Sequence, residues 1–275
     1  MTKLRIGTRT SKLARIQTQM VVDVLQMPVE IVPIISKGDQ IQDRSLANSG
    51  GKGLFVSVFE QALQNDQIDI AVHSGKDMPS QITEGFYVPA VLKRANPADL
   101  LLSKTPIQPG AIIGTSSPRR ANLYKRIDPT CQIKLLRGNV ETRLHKLEDG
   151  FYDGIILAKA GLDRLQIDVS SYVVQTLDIL PATAQGIIAL EARNGFRLSK
   201  DIDDQKTHIL FDVERKLMAK MHADCHDAAS VYAQWIDTNT LCIQAFYQDS
   251  DILTRYTDMD HVDDCIQEMA GILYG

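Results

Sequence analysis

AIIGTSSPRRANLYKRIDPTCQIKLLRGNVETRLHKLEDGFYDGIIL, residues 111–157, is the stretch whose reading decides the fold. It opens on a short apolar run, Ala111 to Ile113, of strand length. Pro118 to Arg126 then carries a helical pattern, with Ser117 in front as a cap and Pro118 at the first helical position, where its missing N–H costs nothing. The rhythm repeats with a strand at Ile133 to Leu136, a helix at Val140 to Leu147 and a strand at Gly154 to Leu157. Strand and helix in strict alternation predict βα units laid into an α/β domain.

Working outward, the same rhythm precedes this stretch. Leu4 to Gly7 reads as a buried strand. Ser11 caps a helix with apolar positions Leu13, Ile16, Met20, Val21 and Leu25. Strands follow at Val29 to Ile35, Ile68 to Val72 and Phe86 to Leu92, with a helix at Gly53 to Gln64. Loop residues at 95–99 and 105–110 mark a domain boundary near residue 95. After about residue 200 the pattern changes to a long helix (Asp204 to Met221), three strands (Ser230 to Trp235, Leu241 to Tyr247, Ile252 to Tyr256) and a last helix (Val262 to Leu273). That αβββα order predicts a separate small α+β domain.

With 30 basic and 34 acidic residues in 275, the formal charge is -4, so the chain as a whole is no polycation for nucleic acid. No segment approaches the roughly 18 consecutive apolar residues of a membrane span. The first residues, MTKLRIGTRTSKLARIQ, show no apolar core or cleavage pattern of a secretory signal. Cys131, Cys225, Cys242 and Cys265 are scattered, without a CxxC pair, as expected of free thiols in the reducing cytoplasm.

Positive charge is nevertheless concentrated locally. Arg119, Arg120, Lys125, Arg126, Lys134, Arg137, Arg143 and Lys146 face only Asp128 and Glu141 within residues 111–147. A solvated basic face is one reading. Placement supports another: Gly114-Thr115-Ser116-Ser117-Pro118-Arg119-Arg120 joins a strand to a helix, and free N–H groups, hydroxyls and arginines at a helix N-terminus suit anions. Arg137-Gly138-Asn139, with Arg143 one turn on, repeats the device. Planar guanidinium forks match carboxylates, so the expected ligand carries several carboxylates or phosphates.

A second cluster, Asp69-Ile70-Ala71-Val72-His73-Ser74-Gly75-Lys76-Asp77-Met78-Pro79, ends a buried strand with His, Ser, Lys and Asp inside five residues. Ligands of α/β sheets bind at such strand ends. The alternative is a surface loop with an incidental ion pair. Ser49-Gly50-Gly51-Lys52-Gly53 lacks the spacing of a nucleotide phosphate loop. Around Cys225, in His222-Ala223-Asp224-Cys225-His226-Asp227, three readings stand open: a structural thiol, a metal site and a covalent attachment point.

In chain order, Gly7-Thr8-Arg9-x-Ser11-x-Leu13-Ala14-x-x-Gln17, Gly50-Gly51-Lys52-Gly53-Leu54-Phe55, residues 69–79, residues 114–120, Leu136-Arg137-Gly138-Asn139-Val140, Thr142-Arg143-Leu144 and Leu157-Ala158-x-Ala160-Gly161-Leu162-x-Arg164-Leu165 resemble the porphobilinogen deaminase family. The resemblance runs from about residue 4 to 193 and more weakly to the end. It implies two α/β domains of the type II periplasmic-binding-protein kind plus a small C-terminal α+β domain. The expected partition is 1–94 with 178–196, then 95–177, then 197–275.

It also implies a hydroxymethylbilane synthase. This is a cytoplasmic transferase that joins four porphobilinogen molecules head to tail with loss of ammonia, in haem biosynthesis, on a covalent dipyrromethane. No metal, nucleic acid or membrane is implied, and the expected state is a monomer. Asp77 would be the catalytic residue, handling protons at the pyrrole nitrogens. Cys225 would carry the dipyrromethane by a thioether, with Lys76, Ser74, Thr115, Ser117, Arg119, Arg120, Arg137, Arg143, Gln185 and Gly186 around it. Arg9, Ser11, Gln17, Arg137, Arg143 and Arg164 would meet substrate.

Some positions depart from the family pattern. Ala223 and Asp224 stand for two glycines before the cysteine, Asp227 and Ala228 for an apolar residue and a proline after it, and Ala184 for the first glycine of a Gly-Gln-Gly. Acidic neighbours are expected to oppose a carboxylate-rich group, with His222 or His226 as compensation. The alternative function is a non-catalytic member that binds a linear pyrrole or another polycarboxylate.

Overall fold

The computed structural model describes residues 3–35, 56–198, 201–224 and 226–275. The glycine-lysine loop of residues 49–53, the expected start of the helix at Gly53 and Cys225 lie outside them. The chain divides into two compact units, Met1–Ala95 with Gly186–Asp212, and Asn96–Gln185 with Val213–Gly275.

The first unit is built on a five-stranded sheet of order β2-β1-β3-β10-β4. Its strands are β1 (Leu4–Arg9), β2 (Val29–Ile34), β3 (Ile70–Ser74), β4 (Phe86–Val91) and β10 (Ile188–Arg193). β1 runs parallel to β2 and β3, whereas β10 runs antiparallel to β3 and β4. Because side chains alternate along a strand, Ile6, Ile70, Val72 and Leu190 pack on one face with Val21 and Leu25 of helix α1 (Lys12–Leu25). Ala71 turns to the other face, under Phe59 and Leu63 of helix α2 (Ser57–Gln64). Pro33 is tolerated because β2 is an edge strand, where no ladder partner needs its N–H.

The second unit repeats the plan. Its sheet order is β7-β6-β8-β5-β9, from β5 (Asp99–Ser103), β6 (Ile112–Gly114), β7 (Gln132–Lys134), β8 (Gly154–Ala158) and β9 (Val173–Thr176). β6 runs parallel to β7 and β8, and β5 antiparallel to β8 and β9. Each sheet thus has three parallel strands in the order second-first-third, then one antiparallel strand arriving from the far side of the chain crossing, then an edge strand. This is the type II binding-protein order. Helices α3 (Pro118–Ile127), α4 (Val140–Glu148) and α5 (Lys159–Leu165) follow β6, β7 and β8. A three-stranded antiparallel sheet, β11 (Ala229–Trp235), β12 (Leu241–Tyr247) and β13 (Leu253–Thr257), lies in chain order between helices α6 (Gln205–Lys220) and α7 (Val262–Tyr274), the expected αβββα.

Several details differ from the sequence reading. The buried face of α1 is Gln17, Thr18, Val21 and Leu25, with Met20 exposed. Two polar residues occupy it because they have partners: the Thr18 hydroxyl donates to Thr8 Oγ1 at 2.7 Å, and Gln17 meets Ser74. Strands β5 and β9 sit where no strand was expected. No helix among the described residues is long and apolar enough to cross a membrane.

Ala184 has φ 57° and is buried. The left-handed region crowds Cβ against the following carbonyl, and glycine escapes that cost. Ala184→Gly is therefore expected to raise unfolding free energy by about 0.5–1 kcal/mol, measured by urea denaturation.

Candidate functional site

In the first unit the site forms where β3 ends. The strand carries Ser74 to the sheet edge, and a single 3-10 turn, Gly75–Asp77, follows. The turn is anchored: Gly75 N donates to Ile187 O at 2.9 Å, and Met78 N to Gly75 O at 3.1 Å. Ser11 caps α1 by accepting from Ala14 N at 3.3 Å. Gln17, one turn further, donates from Nε2 to Ser74 Oγ at 2.8 Å. A small pocket of about 70 Å³ is lined by Arg9, Ser11, Gln17, His73, Ser74 and Asp77 among others. Asp77 is exposed, while Lys76 and Arg9 are half-buried. Five residues given site roles by the resemblance (Arg9, Ser11, Gln17, Ser74 and Asp77) thus share one pocket with His73, and Lys76 adjoins it in the turn.

In the second unit, Thr115 and Ser117 build the entry to α3 as read from sequence. Ser117 N donates to Thr115 Oγ1 at 3.2 Å, and Ser117 Oγ accepts from Arg120 N at 3.4 Å. The arginines behind them are placed otherwise than the sequence suggested. Arg119 and Arg120 are buried, 3% and 6% exposed, and both close on Asp99, which is 0% exposed. Arg119 Nη2 lies 2.7 Å from Asp99 Oδ2, and Arg120 Nη2 lies 2.6 Å from Oδ1. Their other Nη groups donate to Leu180 O (2.5 Å) and Ile156 O (3.0 Å). Gln185 adds Nε2 to Asp99 Oδ1 at 2.9 Å and to Pro97 O at 2.6 Å.

Burial works to raise the Asp99 carboxyl, but the charges of Arg120 and Arg119, with hydrogen bonds from Arg120 and Gln185, outweigh it. They hold the group far below the usual carboxylate range. Burial pulls the Arg119 guanidinium down, opposed by Asp99 and reinforced by Arg120. Two guanidiniums face one carboxylate, so the knot keeps a buried positive excess. The Nε atoms of both arginines are buried without a hydrogen-bond partner among the described residues.

The junction between β7 and α4 is held by its own hydrogen bonds. Asn139 caps α4, accepting from Thr142 N at 2.8 Å. Arg143 Nε donates to Gly138 O at 2.8 Å, and Lys146 Nζ to Arg137 O at 3.1 Å. Gly138 has φ 116°, and a Cβ there would come within 2.6 Å of Thr142. Arg164 sits half-buried on α5, where burial lowers its guanidinium against Asp163. Gly186 has φ 89°, and a Cβ there would meet Ala95 O at 2.5 Å.

Around position 225 the two acids are turned onto their own loop. Asp227 Oδ2 accepts from Asp224 N at 2.9 Å, and Asp224 Oδ1 from His226 N at 2.8 Å. The His222 ring lies 5.2 Å from that of Tyr274. Cys131 and Cys242 are buried and Cys265 is half-buried, and burial pushes all three thiols up.

Sequence reasoning missed Asp99, which stands among loop residues. It also gave no role to Glu191, although a charge inside the apolar run Ile188 to Ala192 was a usable signal. Asp99→Asn is expected to cost about 3–5 kcal/mol, because it leaves two buried guanidiniums uncompensated. A depressed folded-state carboxyl stabilises above its unfolded value. The wild-type advantage is therefore complete above about pH 4 and shrinks as acid protonates Asp99. Urea titrations at pH 7 and at acid pH, on both proteins, check the size and the sign.

The family model described as porphobilinogen deaminase, dipyromethane cofactor binding domain, matches residues 4–200. A porphobilinogen deaminase from Brevibacillus brevis is 39% identical over 259 residues, covering 88% of this chain and 84% of the relative. One from Orientia tsutsugamushi is 40% identical over 268 residues, covering 92% and 89%. One from Stenotrophomonas maltophilia is 41% identical over 250 residues, covering 86% and 82%.

Proposed function

Because the chain belongs to the porphobilinogen deaminase family, we propose that it is a hydroxymethylbilane synthase and that Asp77 is its catalytic residue. The observation that carries the assignment of Asp77 is its place: an exposed carboxylate one 3-10 turn beyond β3, lining the pocket that Arg9, Ser11, Gln17 and Ser74 also line. The substrate is porphobilinogen, a pyrrole bearing an aminomethyl group and two carboxylates. The reaction breaks its carbon–nitrogen bond and forms a carbon–carbon bond to the next ring.

The donor set fits a dipyrromethane, which is rich in carboxylates. Support comes from the buried positive excess at Arg119 and Arg120 and from their two unpartnered Nε–H groups. The hydroxyls of Thr115 and Ser117 stand at the start of the same helix. When bound, the group supplies the primer ring to which substrate rings are added. Cys225 is the residue we assign to carry it, by a thioether, on the small C-terminal domain, residues 197–275. Ser74, Lys76, Thr115, Ser117, Gln185 and Gly186 are the further residues we assign to binding it.

Roles for the chain's own residues follow from their chemistry. Asp77 holds a pyrrole N–H, favours positive charge on that ring as ammonia departs, and takes up the proton released when the ring regains aromaticity. Arg9, Arg137, Arg143 and Arg164 orient acetate and propionate groups with planar forks. Ser11 and Gln17 bound the substrate side. Arg119 and Arg120 act from inside, as a fixed positive field behind the α3 N-terminus, since their Nη groups are committed to Asp99 and carbonyls. The chain works as a cytoplasmic monomer in this reading. The self-bonded carboxylates of Asp224 and Asp227 blunt the repulsion that the sequence suggested, which favours the enzyme over a binding-only relative.

Asp77→Asn should lower kcat by at least about 100-fold, the usual share of a positioned acid/base group. Its urea midpoint should stay near that of wild type, since the residue is exposed. Product formation from porphobilinogen, followed alongside urea unfolding, checks both halves. Near-normal turnover would remove Asp77 from the mechanism.

Intact-mass measurement of protein made with substrate available should show an adduct of two pyrrole units, mapped to the peptide of Cys225. Cys225→Ser should lose both adduct and activity. An adduct on Cys131, Cys242 or Cys265 would sink the assignment.

A further inference from the structure

We propose that His73 is a positioning residue for the reaction at Asp77, locked in place by Glu191. This rests on the deaminase reading for the reaction it serves, but the pair itself stands on geometry. His73 Nε2 lies 2.9 Å from Glu191 Oε2, with side chains 7% and 1% exposed. The strand register places Ala189 opposite His73 and Ala71 opposite Glu191, so the two polar residues are diagonal neighbours on one face of the sheet.

That face is covered by α2, and its residues complete the support. The Phe59 ring meets the His73 ring edge-on, with centroids 5.0 Å apart. Glu60 lies close enough to act electrostatically on both Glu191 and His73. Burial pushes the Glu60 carboxyl up, a hydrogen bond to Thr83 pulls it down, and Glu191 adds to the rise. Glu191 Oε1 has no hydrogen-bond partner among the described residues. The bond to His73 therefore anchors a carboxylate that is otherwise expensive to bury. A buried acid beside a pocket breaks the rule of an apolar sheet face, and such breaks gather at functional sites.

The position of the pair gives it a task. His73 and Ser74 are consecutive, so their side chains leave the strand on opposite faces. Ser74 is held on its side by Gln17 of α1 at 2.8 Å, and His73 on its side by Glu191 of β10. The end of β3 is pinned from both faces, and Asp77 follows after one short turn that is itself tied to Ile187 O. His73 also forms part of the wall of the pocket that Asp77 lines. With Nε2 donating to Glu191, the ring keeps one tautomer and one orientation. Asp77 is thereby presented at a fixed distance from whatever the pocket holds.

The test compares cofactor-loaded wild type with His73→Gln, Glu191→Gln and the double variant. Each single change is expected to lower kcat about tenfold, the scale of a displaced catalytic group, with KM within about threefold. The double variant should be no worse than the poorer single, because the two residues act as one unit. Losses that multiply in the double, or a rise in KM at constant kcat, would overturn the role. Nitrogen-15 spectra of the imidazole give a readout independent of turnover: hydrogen on Nε2 in wild type, a mixture of tautomers in Glu191→Gln. Hydrogen on Nδ1 in wild type would overturn the locked pair. Absence of turnover in wild type with the expected spectra would overturn the reaction role while the pair stands, which separates failure of the deaminase reading from failure of the geometry.

Discussion

The second unit is organised around one buried carboxylate. Asp99 begins β5, the strand that joins the second sheet from across the chain crossing, and accepts from Arg119, Arg120 and Gln185 at once. Those donors come from the start of α3 and from the return segment, and the arginines reach on to carbonyls of Leu180 and Ile156. A charge buried this deeply is tolerable only when paired and hydrogen-bonded. The consequence is geometric: the N-terminus of α3, with Thr115 and Ser117, cannot drift from β5 and β8 without exposing a stranded charge.

The same logic appears in the first unit on a smaller scale. Gln17 and Thr18 occupy places on α1 that a packing argument would give to aliphatic side chains, and each is satisfied by a hydroxyl across the interface. His73 and Glu191 do the same on the opposite face. Polar groups inside a fold are costly when unpaired and directional when paired. Both units therefore keep paired polar fasteners close to their strand ends.

What could be read in the sequence divides along physical lines. The caps of α3 and α4 were legible because Ser117-Pro118 and Asn139 act within one turn of their helices. The αβββα tail was legible because its periodicities are strong and local. Strand β5 was not, since it starts on a charged residue whose partners lie about 20 and 86 positions away. Edge strand β9 was not, because all four of its residues are exposed and leave no alternation to detect. Asp77 and its neighbours could be placed at a strand end from sequence, but the direction of Arg119 and Arg120 could not, since a basic cluster looks alike whether it faces solvent, ligand or a hidden acid.

The three described cysteines bear on the safety of the chemistry. An enzyme that makes electrophilic pyrrole methylenes is exposed to self-alkylation, and the thiolate is the form that reacts. Cys131 and Cys242 are buried, and at Cys131, Cys242 and Cys265 alike burial favours the protonated thiol. The fold thus keeps these three sulfur atoms chemically quiet.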